Sequence, residues 1–128
     1  MTTDNMNRKF NCKNPYQGDY RKVLCVCSAG LLRSPTTALV LSQAPYNFNT
    51  RAAGLDVGHA LIPVDEVLLE WADDIICMDT EQKQRLDDML VGFADKPVYY
   101  LNIKDSYEYR DPQLIELIRT RAKQIYNL

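Results

Sequence analysis

Val23-Leu24-Cys25-Val26-Cys27-Ser28-Ala29-Gly30-Leu31-Leu32-Arg33-Ser34-Pro35 is the stretch whose reading decides the fold. Its first five residues form an apolar run of the kind that fills a buried strand. The run breaks into small residues around Gly30 and passes through Arg33-Ser34-Pro35 into a helical pattern. A strand–loop–helix junction turns backbone N–H groups and the positive end of a helix dipole toward whatever sits in the loop. That arrangement suits an anion. Cys27 and Arg33 bracket the loop residues Ser28, Ala29, Gly30, Leu31 and Leu32, and this pairing suggests a phosphate that is attacked as well as held.

Outward from this stretch the chain alternates. Pro35 fits the first position of a helix, where its missing N–H costs nothing, and Ala38, Leu39 and Leu41 continue the pattern until Pro45. Phe48 to Ala53 reads as a second strand ending at Gly54. A second helix is expected from Pro63, with Val64, Val67, Leu68 and Trp71 forming one apolar face. Asp74 to Met78 reads as a third strand. Asp79 or Thr80 caps a third helix that turns Leu86, Met89 and Leu90 inward. Pro97 to Ile103 is a fourth strand, and Asp111-Pro112 opens a last helix with Ile115, Ile118, Ala122 and Ile125 on one face.

Strands alternating with helices specify a three-layer α/β fold: a four-stranded parallel sheet with helices on both faces and a phosphate-binding loop after the first strand. Such sheets take ligands at the carboxyl ends of their strands. Both the Cys27–Arg33 loop and the Asn102–Arg110 loop fall there. Residues 1–21 are polar and aperiodic, broken by Pro15 and Gly18, and are expected to form a flexible extension or a strap on a domain spanning 22–128.

Several function classes are excluded by composition. The net charge of −2 over 128 residues suggests no nucleic-acid or polyanion partner. No apolar run approaches the ~20 residues of a membrane span, and the polar N-terminus has no signal-peptide core, which points to a cytoplasmic protein. The four cysteines are Cys12, Cys25, Cys27 and Cys77, and with His59 the only histidine their spacing fits no zinc site, so neither metal nor cofactor is expected. Cys25 and Cys27 are too close along one strand to pair. A monomer or weak dimer is expected.

A cysteine six positions before an arginine is weak evidence alone. The context strengthens it, because the chemistry needs this setting. Helix N-termini and neighbouring cations lower a thiol pKa from ~8.5 to ~3.5–7.5, so a nest of N–H groups beside a guanidinium would stabilise a thiolate at Cys27 and make it the nucleophile. The planar fork of Arg33 matches two phosphate oxygens. Gly30 lets the loop turn left-handed so that successive N–H groups point inward. Ser34 is either the helix cap or a donor to the thiolate. Cys25, inside the strand, reads as core.

Cys27-Ser-Ala-Gly-Leu-Leu-Arg33-Ser34-Pro35 resembles the signature of the low-molecular-weight protein tyrosine phosphatases, in particular a short bacterial branch of that family. Three further stretches resemble it in order. Arg51-Ala-Ala-Gly54 is similar to a Ser-Ala-Gly strand end, and Trp71-Ala-Asp-Asp-Ile-Ile-Cys-Met-Asp79 to an Ala-Asp-x-Ile-x-x-Met stretch. Leu101-Asn-Ile-Lys-Asp105-Ser-Tyr-Glu-Tyr is similar to the loop carrying the family's general acid.

The resemblance implies Cys27 as nucleophile, Arg33 as phosphate clamp, and Asp105 as general acid, with Tyr107 and Tyr109 on the substrate rim. Asp111 competes with Asp105, but helix capping already accounts for it. Asp79 reads as a cap, and His59, in a turn after Gly58, as structural. A phosphotyrosine protein or small aryl phosphate is the implied substrate. The family's mid-loop Gly-Asn is replaced by Ala29-Gly30, which removes side-chain bonds that stiffen the loop. Its second loop cysteine is replaced by Leu32, which removes a redox partner for the nucleophile. Two other readings are kept: an arsenate-reductase-like thiol enzyme, for which Cys77 is the only cysteine downstream, and a non-catalytic phosphate- or phosphotyrosine-binding module.

Overall fold

The computed structural model describes residues 20–28, 33–56, 62–93, 95–104 and 111–127. Strand β1 (Lys22–Cys27) lies inside a sheet whose other strands are β2 (Asn49–Gly54), β3 (Asp74–Cys77) and β4 (Val98–Tyr100). The order is β2-β1-β3-β4 and every pairing is parallel, as four strands joined through helical crossovers require. Register sets Val23 opposite Thr50 on one side and Asp74 on the other, so the carboxyl end of β1 at Cys27 pairs with Gly54.

Helices α1 (Arg33–Leu41), α2 (Glu66–Trp71), α3 (Thr80–Leu90) and α4 (Pro112–Tyr126) fill the outer layers. Alternation along β1 divides the core between them. Val23, Cys25 and Cys27 join Ala38 and Leu41 of α1 and Leu114, Ile118 and Ala122 of α4. Leu24 and Val26 join Leu68 and Leu69 of α2 and Leu86 and Leu90 of α3. Burial on both faces explains why β1 is a continuous apolar run rather than an alternating one.

Four local expectations shift. Helix α1 starts at Arg33, so Pro35 occupies its third position, still within the first turn, where N–H groups have no partner inside the helix. Helix α2 starts after Asp65, whose side chain accepts from the Leu68 N–H, and not at Pro63. The later start leaves Leu68 and Leu69 inward and Val67 57% exposed. In α3, Leu86 and Leu90 are buried but Met89 is 40% exposed, lying one position outside their arc. Strand β4 ends at Tyr100 because Asn102 turns left-handed, at φ 57°. The Leu101 and Ile103 amides nevertheless donate to the Cys77 and Met78 carbonyls, and both side chains are buried.

At the amino end of the sheet, the fully buried Asp74 carboxylate is held by Arg21, through Nε and through Nη2 at 2.7 Å, and by the Tyr126 hydroxyl at 2.8 Å. A buried carboxylate is tolerable only with such partners. Tyr20 and Arg21 are therefore tied to the body, since Asn49 Nδ2 also donates to the Tyr20 carbonyl at 3.1 Å. Burial first, then the bond to Asp74, raises the Tyr126 phenol above its ordinary value of 10.0, and burial raises that of Tyr46.

Both phenols favour the protonated form in the folded state. Their contribution is complete below the unfolded pKa of ~10 and is lost as pH rises beyond it. Thermal melting is expected to hold steady through neutrality and fall above pH ~10. Tyr126→Phe should cost about 1–3 kcal/mol at pH 7 and make the alkaline fall shallower. Melting curves between neutral and strongly alkaline pH check both.

Candidate functional site

Cys27 is the last residue of β1, and the chain leaves it toward the loop with its backbone already committed. The Cys27 carbonyl accepts from the Leu55 N–H at 3.0 Å and the Ser28 carbonyl from the Asp56 N–H at 2.7 Å. The thiol is 3% exposed, and its Sγ lies 3.2 Å from the Ser34 hydroxyl. Ser34 is fully buried in the first turn of α1, also 3.4 Å from the Ala53 carbonyl. Of the two roles open to Ser34, helix cap or sulfur partner, the geometry selects the second: its side chain faces the thiol and it lies inside the helix. A thiol donates to that hydroxyl; a thiolate would accept from it.

Arg33, the first residue of α1, is 4% exposed, so it is not a surface charge. Its Nη1 donates to the Ile103 carbonyl at 2.8 Å, tying the start of α1 to the segment that follows β4. A guanidinium in that position sets a fixed cation beside the thiol end of β1, opposite to the charge a helix N-terminus favours. The end of β1, the start of α1 and the segment after β4 thus bring Cys27, Arg33 and Ile103 to one edge of the sheet, the carboxyl edge.

Ala29, Gly30, Leu31, Leu32, Asp105, Tyr107, Tyr109, His59 and Cys12 lie outside the described residues. Asp105 follows Ile103 by two positions in sequence. Asp111 is within them and caps α4, accepting from the Gln113 N–H at 2.9 Å, as capping chemistry leads one to expect. Asp79 likewise caps α3, accepting from the Gln82 N–H at 2.8 Å.

The other described cysteines are bystanders. Cys25 packs in the same core as Cys27, and burial pushes its thiol far up. Cys77 belongs to the core on the opposite face of the sheet, and burial pushes it up to about 12. A relay of disulfides from Cys27 would have to cross the sheet to reach it, which disfavours arsenate-reductase chemistry.

Gln82 escaped the sequence reading. It is 2% exposed, its Oε1 accepts from the Met78 N–H at 2.7 Å, and its Nε2 donates to the Ser28 hydroxyl at 3.2 Å. The Asp79-x-x-Gln82 spacing of a capping box was the available signal, but here the side chain reaches back past the cap to Met78 and across to the loop. Arg85, one turn on, pairs with Asp56 at 3.2 Å and donates to the Leu55 carbonyl at 3.1 Å. That pair is exposed and worth little energetically.

No protein-family model and no curated protein matches the sequence. Solved structures do match in fold. The crystal structure of YfkJ from Bacillus subtilis is 20% identical, aligns over 87% of this chain and 95% of that one, and superposes with a TM-score of 0.62. A protein tyrosine phosphatase is 21% identical over 80% and 91% of the two chains, with a TM-score of 0.59. A Cys-to-Ser mutant of YwlE arginine phosphatase carrying a phosphorylated active-site serine is 22% identical over 81% and 95%, with a TM-score of 0.57. The three-layer α/β fold of this chain is the one these structures share.

Proposed function

We propose that the chain is a metal-independent phosphomonoesterase acting through a phosphocysteine intermediate, with protein phosphotyrosine as its first substrate class. The observation that carries this is the 3.2 Å contact between Cys27 Sγ and the buried Ser34 hydroxyl at the carboxyl end of β1, with Arg33 buried at the same edge. The resemblance of the loop to the low-molecular-weight phosphatase signature and the shared fold support it. Residues 22–128 would form the catalytic domain, working in the cytoplasm, where thiols stay reduced.

In the first step the Cys27 thiolate attacks phosphorus in line. The S–P bond forms as the P–O bond to the aryl group breaks, and Asp105 gives its proton to the departing phenolate. The Arg33 fork and the loop N–H groups from Ser28 to Leu32 hold the non-bridging oxygens, where charge shifts during transfer. In the second step the Asp105 carboxylate takes a proton from water. The water oxygen bonds phosphorus, the S–P bond breaks, and the Ser34 hydroxyl donates to the leaving sulfur. Inorganic phosphate and free thiolate result. Tyr107 and Tyr109 would wall the cleft against the substrate ring.

A phosphorylated guanidino group is the second reading, because one structure of this fold is an arginine phosphatase. The test is phosphate release from p-nitrophenyl phosphate, a phosphotyrosine peptide, an alkyl phosphate and phosphoarginine. Aryl substrates are expected to lead in kcat/KM. Asp105→Asn should lower their kcat by about 10²–10⁴-fold. Asp111→Asn, which keeps a good cap, should leave it within about twofold. Release from none of the four substrates refutes the phosphatase reading, and a leading phosphoarginine rate moves the substrate class.

A further inference from the structure

We propose that Gln82 is a positioning residue for oxyanion binding, turning the Ser28 hydroxyl hydrogen away from α3 so that it can donate to a phosphoryl oxygen held beside Cys27; this rests on the phosphatase reading above. The geometry leaves the Gln82 amide one orientation. The Met78 N–H can only donate, so the amide oxygen must face it, and the 2.7 Å contact fits. A flipped amide would set NH₂ against N–H, with both groups buried. The amide nitrogen is therefore turned to Ser28 Oγ, at 3.2 Å, and donates to it.

A hydroxyl has one hydrogen and two lone pairs. With a lone pair of Ser28 occupied by Gln82 from the α3 side, its hydrogen is directed away from α3. The Ser28 backbone is held independently, its carbonyl accepting from the Asp56 N–H at 2.7 Å. Ser28 is the residue immediately after the thiol. An O–H held there as a donor would give the proposed site one donor for a phosphoryl oxygen. The chain Met78 N–H to Gln82 to Ser28 thus passes donor polarity from the backbone end of β3 to the residue after Cys27. Supporting bonds of this kind set the precision of a site that its direct contacts alone would leave loose.

Gln82→Glu is the discriminating variant. A carboxylate still accepts from the Met78 N–H but cannot donate to Ser28; it accepts the Ser28 hydrogen and turns it toward α3. The variant is expected to lower kcat/KM on p-nitrophenyl phosphate and weaken inorganic phosphate binding by roughly 10–100-fold, less than the 10²–10³-fold cost of deleting an oxyanion donor outright. In a Ser28→Ala background the same change should cost less than about twofold in both readouts. If Gln82→Glu does not fold, Gln82→Met is carried through the same cycle. Wild-type turnover with an unaffected Gln82 variant overturns the inference alone. So does an equal loss with and without Ser28, which would mark Gln82 as scaffold. A wild type that neither turns over any phosphate nor binds inorganic phosphate overturns the phosphatase reading and this inference together.

Discussion

Cys27→Ser is expected to reduce phosphate release from p-nitrophenyl phosphate by at least about 10⁴-fold in kcat while the fold stays intact. The proposed chemistry needs an anionic nucleophile at neutral pH, and a serine hydroxyl ionises far less readily than a thiol. Ser34, whose hydroxyl lies 3.2 Å from Sγ, offers another hydroxyl. That arrangement stabilises an anion already formed but removes no proton. Oxygen is smaller than sulfur and can still exchange a hydrogen bond with Ser34, so the 3%-exposed position should accept serine without a large cavity. The check is steady-state release alongside a melting curve. A variant that melts like wild type and turns over within tenfold of it would remove the covalent mechanism. Cys25→Ser and Cys77→Ser probe cores on either face of the sheet and should affect stability before activity.

Arg33→Lys should lower kcat/KM by about 10²–10³-fold, although the charge is retained. A lysine ammonium is a point charge on a flexible stem and cannot offer two parallel N–H donors to two phosphoryl oxygens. The structure adds a second reason. Arg33 Nη1 holds the Ile103 carbonyl at 2.8 Å, so the same guanidinium that would clamp phosphate also fixes the chain two residues before Asp105. Replacing it should therefore loosen the proposed anion site and the segment leading to Asp105 together. The loss is expected to appear in kcat as well as KM, and inorganic phosphate should inhibit more weakly. Activity within threefold of wild type would show that Arg33 supports the fold rather than the reaction.

The sheet was legible because each strand carries its own local signature. The Val23–Cys27 run, the breaks at Gly54 and Pro63, and the Asp111-Pro112 cap are short-range patterns, and hydrophobic period and turn chemistry are properties of neighbouring residues. The same locality explains the misplacements. Val67 and Met89 fit helical periods, but α2 is set by the Asp65 cap and the inward arc of α3 by Leu86 and Leu90. Strand β4 is shorter than its apolar residues suggest, since they continue past Asn102 although the regular strand does not.

By itself the sequence determined the α/β alternation, the place of Cys27 at a strand end, and the capping roles of Asp79 and Asp111. Only the tertiary structure decided which distant segments meet that cysteine. The order β2-β1-β3-β4 seats β1 against β3 and brings the β4 exit to Arg33. Arg33 and Ile103 are 70 positions apart, and Ser28 and Gln82 are 54 apart. Contacts of that span leave no period in either partner's neighbourhood, because they arise from strand order and register. Gln82 looked like an ordinary polar residue near a helix start, and Ser34 could cap or donate. Packing α1 and α3 against opposite faces of one sheet brought Ser34 to the Cys27 sulfur and Gln82 to the Ser28 hydroxyl.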